Sequence, residues 1–560
     1  MYLRTTRRRN GDGTEVRYLS LAHNEWDPVA GRSKVRILFN FGREDELDRD
    51  AIRRLIGSLS RALPPGEALI AAAPPELRFL ESRPLGGAYL LDALWRRLGI
   101  DAILARALRG RRLDPSAERA LFAMVANRAL APASKLSCAA WASERVAIPG
   151  LDQLTDDACY RAMDWLLEIE AEIAEQVYWS TATLLDLEVD LLFFDTTSTY
   201  FETDAADPPT DAAPKGFRTF GHSKDHRPDL PQVVIGLAVT RTGIPIRVWT
   251  FPGNTADQAL IREVKDDLLA WKLGRVVWVT DRGFASAQNR RYLQRAGGHY
   301  ISGEKLRSDS AEAKAALARQ GRYGVVAGNL EVKEVVLDGG TMRDRFVVCR
   351  NPDEAARDAA IRDRLLGGLE AAIAGSDALA PAARSTLACD LRATPTNRRF
   401  LRVTRAGLLR IDRAAVAADA RLDGKFLLRT SDPTLSAADV ATGYKQLLEV
   451  ERSWRDMKTT LELRPVYHRK ETRIRSHVLL CWLALLLVRL AETATGDTWR
   501  NLRAEMDKLH LGRFSGFAGE VAQRTELTSR QAAILRALEV AEPPRYVRVA
   551  APEAATATAG

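Results

Sequence analysis

The sequence predicts an α/β protein in which a mixed sheet is flanked by helices. Two apolar runs, 191–194 and 276–279, have the length of buried strands, and an aspartate follows each of them closely. Between the two runs, PQVVIGLAVT and IPIRVWTFPGN indicate an antiparallel hairpin around a turn at 241–243. Helical periodicity at 256–271 and 287–295 alternates with the strands, which is the order expected when helices pack on a sheet.

The same patterns divide the 560 residues into six segments. The fourth contains the strand-like stretches YGVVAGNLEVKEVVLDGG and RFLRVTRAGLLRID among Ala-rich charged linkers, so it is predicted to be a mostly β insertion forming its own lobe. The residues after Ala550 have a composition typical of disorder. In chain order, the segments are a basic β-rich segment (1–65), a helical region (66–186), the first part of the sheet core (187–303), the insertion (304–423), the second part of the core (424–495) and a basic C-terminal region (496–560).

The charge balance indicates a polyanionic partner. Lysine and arginine number 82 against 73 aspartates and glutamates, which gives a formal net charge of +9 and a pI near 9.3. Nucleic acid is the usual partner at this charge, and a basic enzyme without such a partner is the alternative. The five cysteines are scattered without a CxxC pair, which argues against a zinc site or a disulfide framework and fits a reducing cytoplasm.

No membrane partner is expected from the sequence. The N-terminal MYLRTTRRRN is basic, but the apolar core of a signal peptide does not follow it. The most apolar run, 478–488, has 11 residues, too few to span a bilayer, and is predicted to be a buried helix. These observations predict a soluble, intracellular protein.

The stretch YKQLLEVERSWRDMKTTL at 444–461 is predicted to be a single amphipathic helix. Beside its apolar face Tyr444, Glu451 and Lys458 follow at intervals of seven, about two helical turns, and Arg455 lies on the same stripe. A carboxylate beside a cation and a phenol would reach a metal and a phosphate together, whereas the alternative is a surface helix with ordinary salt bridges. The apolar face consists of Leu447, Val450, Trp454, Met457 and Leu461.

Asp195 and Asp281 each follow an apolar strand. A mixed sheet brings neighbouring strand ends together, so the two carboxylates are predicted to lie side by side despite their separation in the sequence. Two carboxylates in proximity repel each other, and a divalent cation between them is the usual remedy. The alternative for each is an ordinary turn or cap residue.

Two basic stretches are candidates for phosphate contact. The loop GHSKDHRPDL carries Lys224 and His226, and it is predicted to face solvent or phosphate rather than to bind a metal. The stretch RPVYHRKETRIR follows the predicted helix, where phosphate contact is favoured over an exposed turn with solvated charges. Its candidate residues are Arg464, Arg469, Lys470 and Arg473. The basic strands at the N-terminus either lie on a DNA backbone or form a hairpin that covers the next domain.

These residues resemble the DDE transposases of bacterial insertion sequences, in the group whose helix carries Tyr-(2)-Arg-(3)-Glu-(6)-Lys. Tyr444, Glu451 and Lys458 match that pattern at each spacing, and Asp195 and Asp281 match the first two acidic positions. At position 447 the family has Arg and this chain has Leu. Arg455, on the same stripe, is the candidate to replace it.

The resemblance implies a ribonuclease-H-like fold interrupted by the insertion. It implies excision of a DNA segment at its terminal inverted repeats and joining to target DNA, by a dimer that grips two DNA ends and often passes through a hairpin. The expected chemistry is phosphoryl transfer with two Mg²⁺ or Mn²⁺ ions held by Asp195, Asp281 and Glu451. Tyr444, Arg455 and Lys458 are expected to hold phosphates near the cut.

Three other functions are alternatives to transposition. A phosphatase with an aspartyl nucleophile needs a second Asp two residues after the first, and Thr197 occupies that position. A catalytically inactive DNA-binding regulator descended from a transposase would keep the basic surface. A structure-specific nuclease of the same fold would share the acidic triad, so only its DNA substrate would distinguish it.

Overall fold

The computed structural model describes the chain in two compact units. The smaller unit draws on Met1–Ser82, Gly512–Gln523 and Arg545–Gly560, and the larger on Arg83–Leu511 and Arg524–Pro544. The residues described are 1–11, 14–60, 62–63, 78–109, 116–186, 191–271, 273, 275–307, 310–337, 345–516 and 519–550. The tail after Ala550, predicted to be disordered, lies outside them.

The smaller unit begins with β1 (Tyr2–Arg9), β2 (Glu15–Asp27), β3 (Arg32–Arg43), α1 (Arg49–Ser60) and β4 (Arg78–Pro84). The first three strands form an antiparallel sheet in the order β1-β2-β3. A short turn joins β2 to β3. There Asp27 Oδ1 accepts hydrogen bonds of 3.0 Å from the N–H groups of Val29 and Ala30, which closes the turn.

The larger unit opens with six helices. They are α2 (Gly86–Arg97), α3 (Ile100–Leu108), α4 (Ala117–Leu130), α5 (Lys135–Glu144), α6 (Asp156–Glu168) and α7 (Glu170–Leu185). Ser134 and Thr155 start α5 and α6 as N-caps, accepting from the N–H groups of Ser137 and Ala158. Nearly every residue of α4 is buried, so this helix lies inside the unit rather than on its surface.

A nine-stranded mixed sheet forms the centre of the larger unit, in the order β10-β11-β12-β15-β9-β8-β5-β6-β7. Its first elements in the chain are β5 (Leu191–Tyr200), β6 (Gln232–Val239), β7 (Pro245–Pro252), α8 (Asp257–Leu269), β8 (Val277–Thr280), α9 (Ala287–Leu293) and β9 (His299–Glu304). Strand β8 pairs in parallel with both β5 and β9. The predicted hairpin is confirmed as the antiparallel pair of β6 and β7.

The prediction that 304–423 is a separate, mostly β lobe is wrong. Its strands β10–β12 extend the central sheet, because β12 pairs with β15 and β15 with β9. Most of the remainder is helical, and Asn351 caps the longest helix there by accepting from the N–H groups of Asp353 and Glu354. The elements are α10 (Ala311–Ala318), β10 (Gly324–Ala327), β11 (Leu330–Val336), β12 (Arg345–Arg350), α11 (Pro352–Ile373), α12 (Pro381–Ala393), α13 (Pro395–Phe400), β13 (Leu401–Val403), β14 (Leu409–Ile411), α14 (Arg413–Ala420) and β15 (Lys425–Thr430).

The single helix predicted for 444–461 is two helices, α15 (Ala437–Lys445) and α16 (Leu448–Thr459). A capping box at Ser436 and Asp439 starts α15 earlier than the apolar pattern indicated. The chain then turns at 446–447, where the N–H of Leu447 bonds to Tyr444 O rather than continuing the regular helical ladder. Tyr444 and Glu451 therefore lie on different helices, although the apolar face of α16 is buried as expected.

Helix α17 (Glu471–Thr495) contains the predicted buried run and is longer than it. Among the described residues it is the one helix long and apolar enough to cross a membrane, and 78% of that window is buried inside the protein. Burial of this kind is what the core helix of a globular unit shows. The chain ends with α18 (Trp499–Met506), β16 (His510–Gly516), β17 (Gly519–Arg524), α19 (Ser529–Ala537) and β18 (Tyr546–Ala550), and the last three strands join β4 in the order β18-β17-β16-β4.

A buried charge network joins α16 to α17. The guanidinium of Arg489 is 2% exposed and lies 2.6 Å from Asp456 on α16 and 2.5 Å from Glu492 on α17. Arg452 on α16 bonds to the same Glu492 at 3.0 Å. These contacts set the position of α16, the helix that carries Glu451, against the apolar helix behind it.

Removing this guanidinium should destabilise the protein strongly. Arg489→Ala leaves the carboxylates of Asp456 and Glu492 without their buried cation, so the free energy of unfolding should fall by about 3–5 kcal/mol. Guanidinium unfolding followed by circular dichroism measures the loss. Arg530→Ala is the matched control, since its pair with Asp497 is 55% exposed on the arginine side and should contribute less than about 1 kcal/mol. Equal losses for the two variants would contradict the assignment.

Candidate active site

Strand register brings Asp195 and Asp281 together. The parallel pairing of β5 with β8 ends at Phe194 opposite Thr280, so each aspartate lies one residue beyond the last paired position. The apolar run had indicated that the strand ends at Asp195. That prediction is wrong, because β5 continues to Tyr200 by pairing with β6. Beyond Phe194 one edge of β5 still pairs with β6, whereas β8 no longer pairs with the other edge, which leaves space beside Asp195.

Lys224 reaches into this space from the loop that follows β5. Its Nζ donates to the backbone O of Thr196 at 2.7 Å and to Thr196 Oγ1 at 2.6 Å. The same Nζ lies 3.8 Å from Asp195 and 3.4 Å from Asp257, the first residue of α8. Thr196 Oγ1 in turn donates to Asp257 at 2.6 Å. Lys224, predicted to contact DNA, is therefore the counter-ion of two carboxylates in this structure.

The electrostatics of Asp195 differ from those of an ordinary surface carboxylate. Burial raises the pKa of Asp195 to about 6, Lys224 opposes that shift, and the negative charges of Asp257 and Asp281 add to it. Asp195 thus lies within electrostatic range of Asp281, as the sheet order had predicted. The positive charge of Lys224 therefore offsets only part of the effect of burial on the pKa of Asp195.

Tyr444 joins α15 to Asp281. Its hydroxyl donates to Asp281 Oδ1 at 3.2 Å. Burial raises the pKa of Tyr444 well above its usual value, and the charges of Asp281 and Glu451 raise it further, so the phenol stays protonated and remains a donor. A Cβ at Gly303 on β9 would lie 2.4 Å from the Tyr444 hydroxyl, so the bond to Asp281 depends on a glycine at that position.

Glu451 is exposed in the first turn of α16. Its negative charge contributes to the raised pKa of Tyr444, the residue that bonds to Asp281. Within the described residues no three His, Cys, Asp or Glu side chains are gathered closely enough to hold a metal ion. The structure thus brings Asp195 and Asp281 together, with Glu451 beyond Tyr444.

The predicted DNA contacts divide into paired and exposed side chains. Lys458 and Arg464 both lie 2.8 Å from the carboxylate of Asp225, and Arg473 lies 3.4 Å from Asp164. The other predicted side chains are exposed, namely Arg455, Arg469, Lys470 and His226, the last with a left-handed backbone at φ 58°. Leu447, where the family has Arg, is 8% exposed and packs in the core.

Two acidic residues of the site were missed in the sequence. Asp257 lies in the first turn of a helix, where acidic residues are common for a structural reason. Asp225 lies in the loop GHSKDHRPDL, which was interpreted as cationic. Both make their contacts with residues far away in the chain, 61 positions for Asp257 and 233 for Asp225. Local patterns contain no signal for such pairs.

Comparison with known proteins identifies the family of the chain. A family model described as "Transposase DDE domain" matches residues 196–487, more than half of the chain. A second, described as "IS1634 family transposase, N-terminal domain", matches residues 3–68. Among curated proteins none matches the sequence.

One similar solved structure is the piggyBac transposase synaptic complex with hairpin DNA, determined by cryo-EM. It has 10% sequence identity and a TM-score of 0.36 over 75% of this chain and 80% of its own, values too low to support an inference. The DDE-domain match includes Asp281, Tyr444, Glu451 and Lys458 and begins one residue after Asp195. The chain belongs to the DDE transposases of insertion sequences.

Proposed function

We propose that this chain cuts DNA at the terminal inverted repeats of its insertion sequence and joins the excised ends to target DNA. The observation that carries the proposal is the meeting of Asp195 and Asp281 one residue beyond the paired ends of β5 and β8. The hydrogen bond from Tyr444 to Asp281 connects that pair to α15, the helix directly before the one that bears Glu451 and Lys458.

The proposal includes a ribonuclease-H-like core. Three features support it: parallel pairing among β5, β8 and β9, an antiparallel hairpin on one side of β5, and a carboxylate-bearing helix packed behind the sheet. In an open α/β sheet, sites form outside the carboxyl ends of strands whose connections leave in opposite directions. Asp195 lies at such a point, because β5 leads to β6 on one side and its parallel neighbour β8 leads to β9 on the other.

The carboxylates suit a hard divalent cation. Asp195 has two further carboxylates near it, and Lys224 alone leaves its pKa raised. Oxygen donors of this kind are those that Mg²⁺ and Mn²⁺ prefer. We propose Asp195, Asp281 and Glu451 as the ligands of two ions that share these side chains between them, since the described residues gather no three such side chains around a single ion. Such ions, when bound, activate an attacking oxygen and stabilise a leaving one.

The remaining residues of the site hold the DNA. Tyr444 orients Asp281 through its hydroxyl, and the exposed Arg455 and the half-buried Lys458 place positive charge along α16 for a phosphate backbone. Since cutting both ends of one element together requires two active sites and each chain contributes one, the proposal includes a homodimer on two DNA ends.

Neutralising Glu451 should abolish cleavage without preventing binding. Glu451→Gln keeps the shape and helix preference of the side chain but removes a metal-holding charge, so cleavage of labelled end-containing DNA in Mg²⁺ should fall at least about 100-fold. Binding, measured in Ca²⁺, should stay within about twofold of the parent because the basic surface is unchanged. Glu449→Gln, in the same turn of α16, is the control and should cut normally.

The outcomes of that experiment separate the functions considered. Cleavage by Glu451→Gln at the parental rate would show that the triad is misassigned. A parent protein that binds an end but cuts none would be a regulator. Equal cleavage of end-containing DNA and of branched DNA lacking the repeats would indicate a structure-specific nuclease.

The raised pKa of Asp195 predicts a pH-dependent stability. Above pH 6 the buried carboxylate is charged in the folded chain and disfavours folding, and this penalty fades as the pH falls through 6 towards 3.8, the unfolded value. In metal-free buffer Asp195→Asn should therefore stabilise the protein by up to about 3 kcal/mol at pH 8 and by about half of that at pH 5. Guanidinium unfolding at the two pH values measures both.

Asp207→Asn provides a control of opposite sign. Burial opposes the shift, but hydrogen bonds from Arg218 hold the pKa of Asp207 below its usual value. Its stabilising charge is therefore present at both pH 5 and pH 8, and the variant should lose the same stability at each. A stabilisation by Asp195→Asn as large at pH 5 as at pH 8 would contradict the assignment.

The exposed cations after α16 should determine part of the salt dependence of DNA binding. Arg469 and Lys470 are exposed, whereas Arg464 and Arg473 have carboxylate partners. Replacing Arg469 and Lys470 with Ala should lower the slope of log K against log salt by up to about 1.8, or about 0.9 per lost phosphate contact. Arg500→Ala, an exposed arginine on α18, controls for net charge, and a slope unchanged by the double substitution would show that 469–470 is a solvated turn.

A further inference from the structure

Two consecutive residues of the loop between β5 and β6 connect different parts of the site. The ammonium of Lys224 bonds to Thr196, beside Asp195. The carboxylate of Asp225 lies between the Lys458 ammonium and the Arg464 guanidinium, with 2.8 Å to each. A single dipeptide thus contacts both the first acidic strand and the basic residues at and beyond the end of α16.

The backbone of this loop is held independently of those cations. Ser198 Oγ on β5 accepts from the N–H of Lys224 at 2.9 Å. Ser223 Oγ accepts from the N–H groups of Asp225 at 3.3 Å and Arg227 at 3.0 Å, which closes a side-chain turn. The hydrogen bonds to β5 and within the turn therefore determine the position of Asp225. Its carboxylate in turn determines where the ammonium of Lys458 and the guanidinium of Arg464 lie.

Burial makes the pairing stronger than a surface ion pair. The side chain of Asp225 is 8% exposed, that of Lys458 16% and that of Arg464 31%. The Arg464 guanidinium also lies over the ring of Tyr200, 5.5 Å from its centroid, where β5 ends. Because charges in a partly desolvated site interact strongly, both long side chains are restricted to one arrangement.

The pairing leaves both cations able to contact a phosphate. One carboxylate between two cations leaves one net positive charge, and an ammonium that uses one N–H on Asp225 has two more to donate. Arg464 lines an open cavity of about 820 Å³ together with Arg218 and Arg469. A phosphate entering beside Asp225 therefore meets donors whose directions are already set.

We propose that Asp225 is a positioning residue, which holds Lys458 and Arg464 in register with Lys224 and the acidic pair so that a DNA phosphate is gripped at a defined distance from Asp195. This inference rests on the proposed function. According to this proposal, the loop 221–230 sets the arrangement of the basic residues at and after the end of α16 before DNA binds. The side chains then do not have to be ordered one by one on the DNA backbone.

A double-mutant cycle on DNA binding tests this directly and does not depend on cleavage. In Ca²⁺, Lys458→Ala should weaken binding of end-containing DNA by about tenfold in the parent, and by less than about threefold when Asp225 is already Asn, because the ammonium is then no longer held. Asp225→Asn alone should change affinity by less than about threefold, since it removes a negative charge near the DNA while it releases the donors. Equal costs of Lys458→Ala in the two backgrounds would overturn the proposal.

The second readout is single-turnover cleavage with saturating DNA. Asp225→Asn should lower the rate constant at least tenfold while affinity is kept, a separation that a general loss of folded protein would not produce. Asp229→Asn is the matched control, because Asp229 pairs with Arg227 on the exposed side of the same loop, and it should leave both quantities within twofold. A parental rate for Asp225→Asn would also overturn the proposal.

Two further outcomes are distinguishable. If the parent binds but never cuts, the proposed function fails, and the binding cycle still decides the role of Asp225. If Asp225→Asn does not fold, as a thermal melt would show, Asp225→Glu takes its place in the cycle. Glu keeps the charge and moves it by one methylene, so binding should persist with a lowered cleavage rate, and parental cleavage by Asp225→Glu would refute positioning.

Discussion

The buried guanidinium of Arg489 joins the helix that carries Glu451 to the apolar helix at the centre of the larger unit. It binds Asp456 on α16 and Glu492 on α17 at 2% exposure, where breaking a pair costs far more than at the surface. Apolar contacts alone would allow α16 to slide along α17, because side-chain packing is less directional than charge-assisted hydrogen bonds from one guanidinium to a carboxylate on each helix. The location of Glu451 relative to the sheet follows from this anchor.

Residues from three separate parts of the chain meet around the resulting site. Strands β5 and β8 supply Asp195 and Asp281, the loop after β5 supplies Lys224, and α15 supplies Tyr444. The site is crowded with carboxylates and short of cations, which raises the pKa of Asp195 to about 6. A centre of this kind suits added divalent cations, and the ammonium of Lys224 lies within reach of two of its carboxylates.

The basic residues near the site fall into a paired group and an exposed group. Lys458, Arg464 and Arg473 have carboxylate partners, whereas Arg455 and the turn at 469–470 are exposed. A positive net charge attracts DNA from a distance, and paired cations then fix where it lies. In the function proposed here, the net charge supplies a general attraction, and the paired cations place a phosphate at one point.

The sequence by itself determined that Asp195 and Asp281 follow apolar strand residues, the spacing of Tyr444, Glu451 and Lys458, and the family, because these depend on local periodicity and on spacings within short segments. The sequence also contains N-cap residues that start helices within 304–423, such as Asn351 before Pro352, but the strand-like stretches dominated the prediction for that segment. Only the tertiary structure decided that β10–β12 extend the central sheet and that Asp225 binds Lys458 across 233 positions. Such pairings depend on which strands become neighbours, and no local pattern encodes that order.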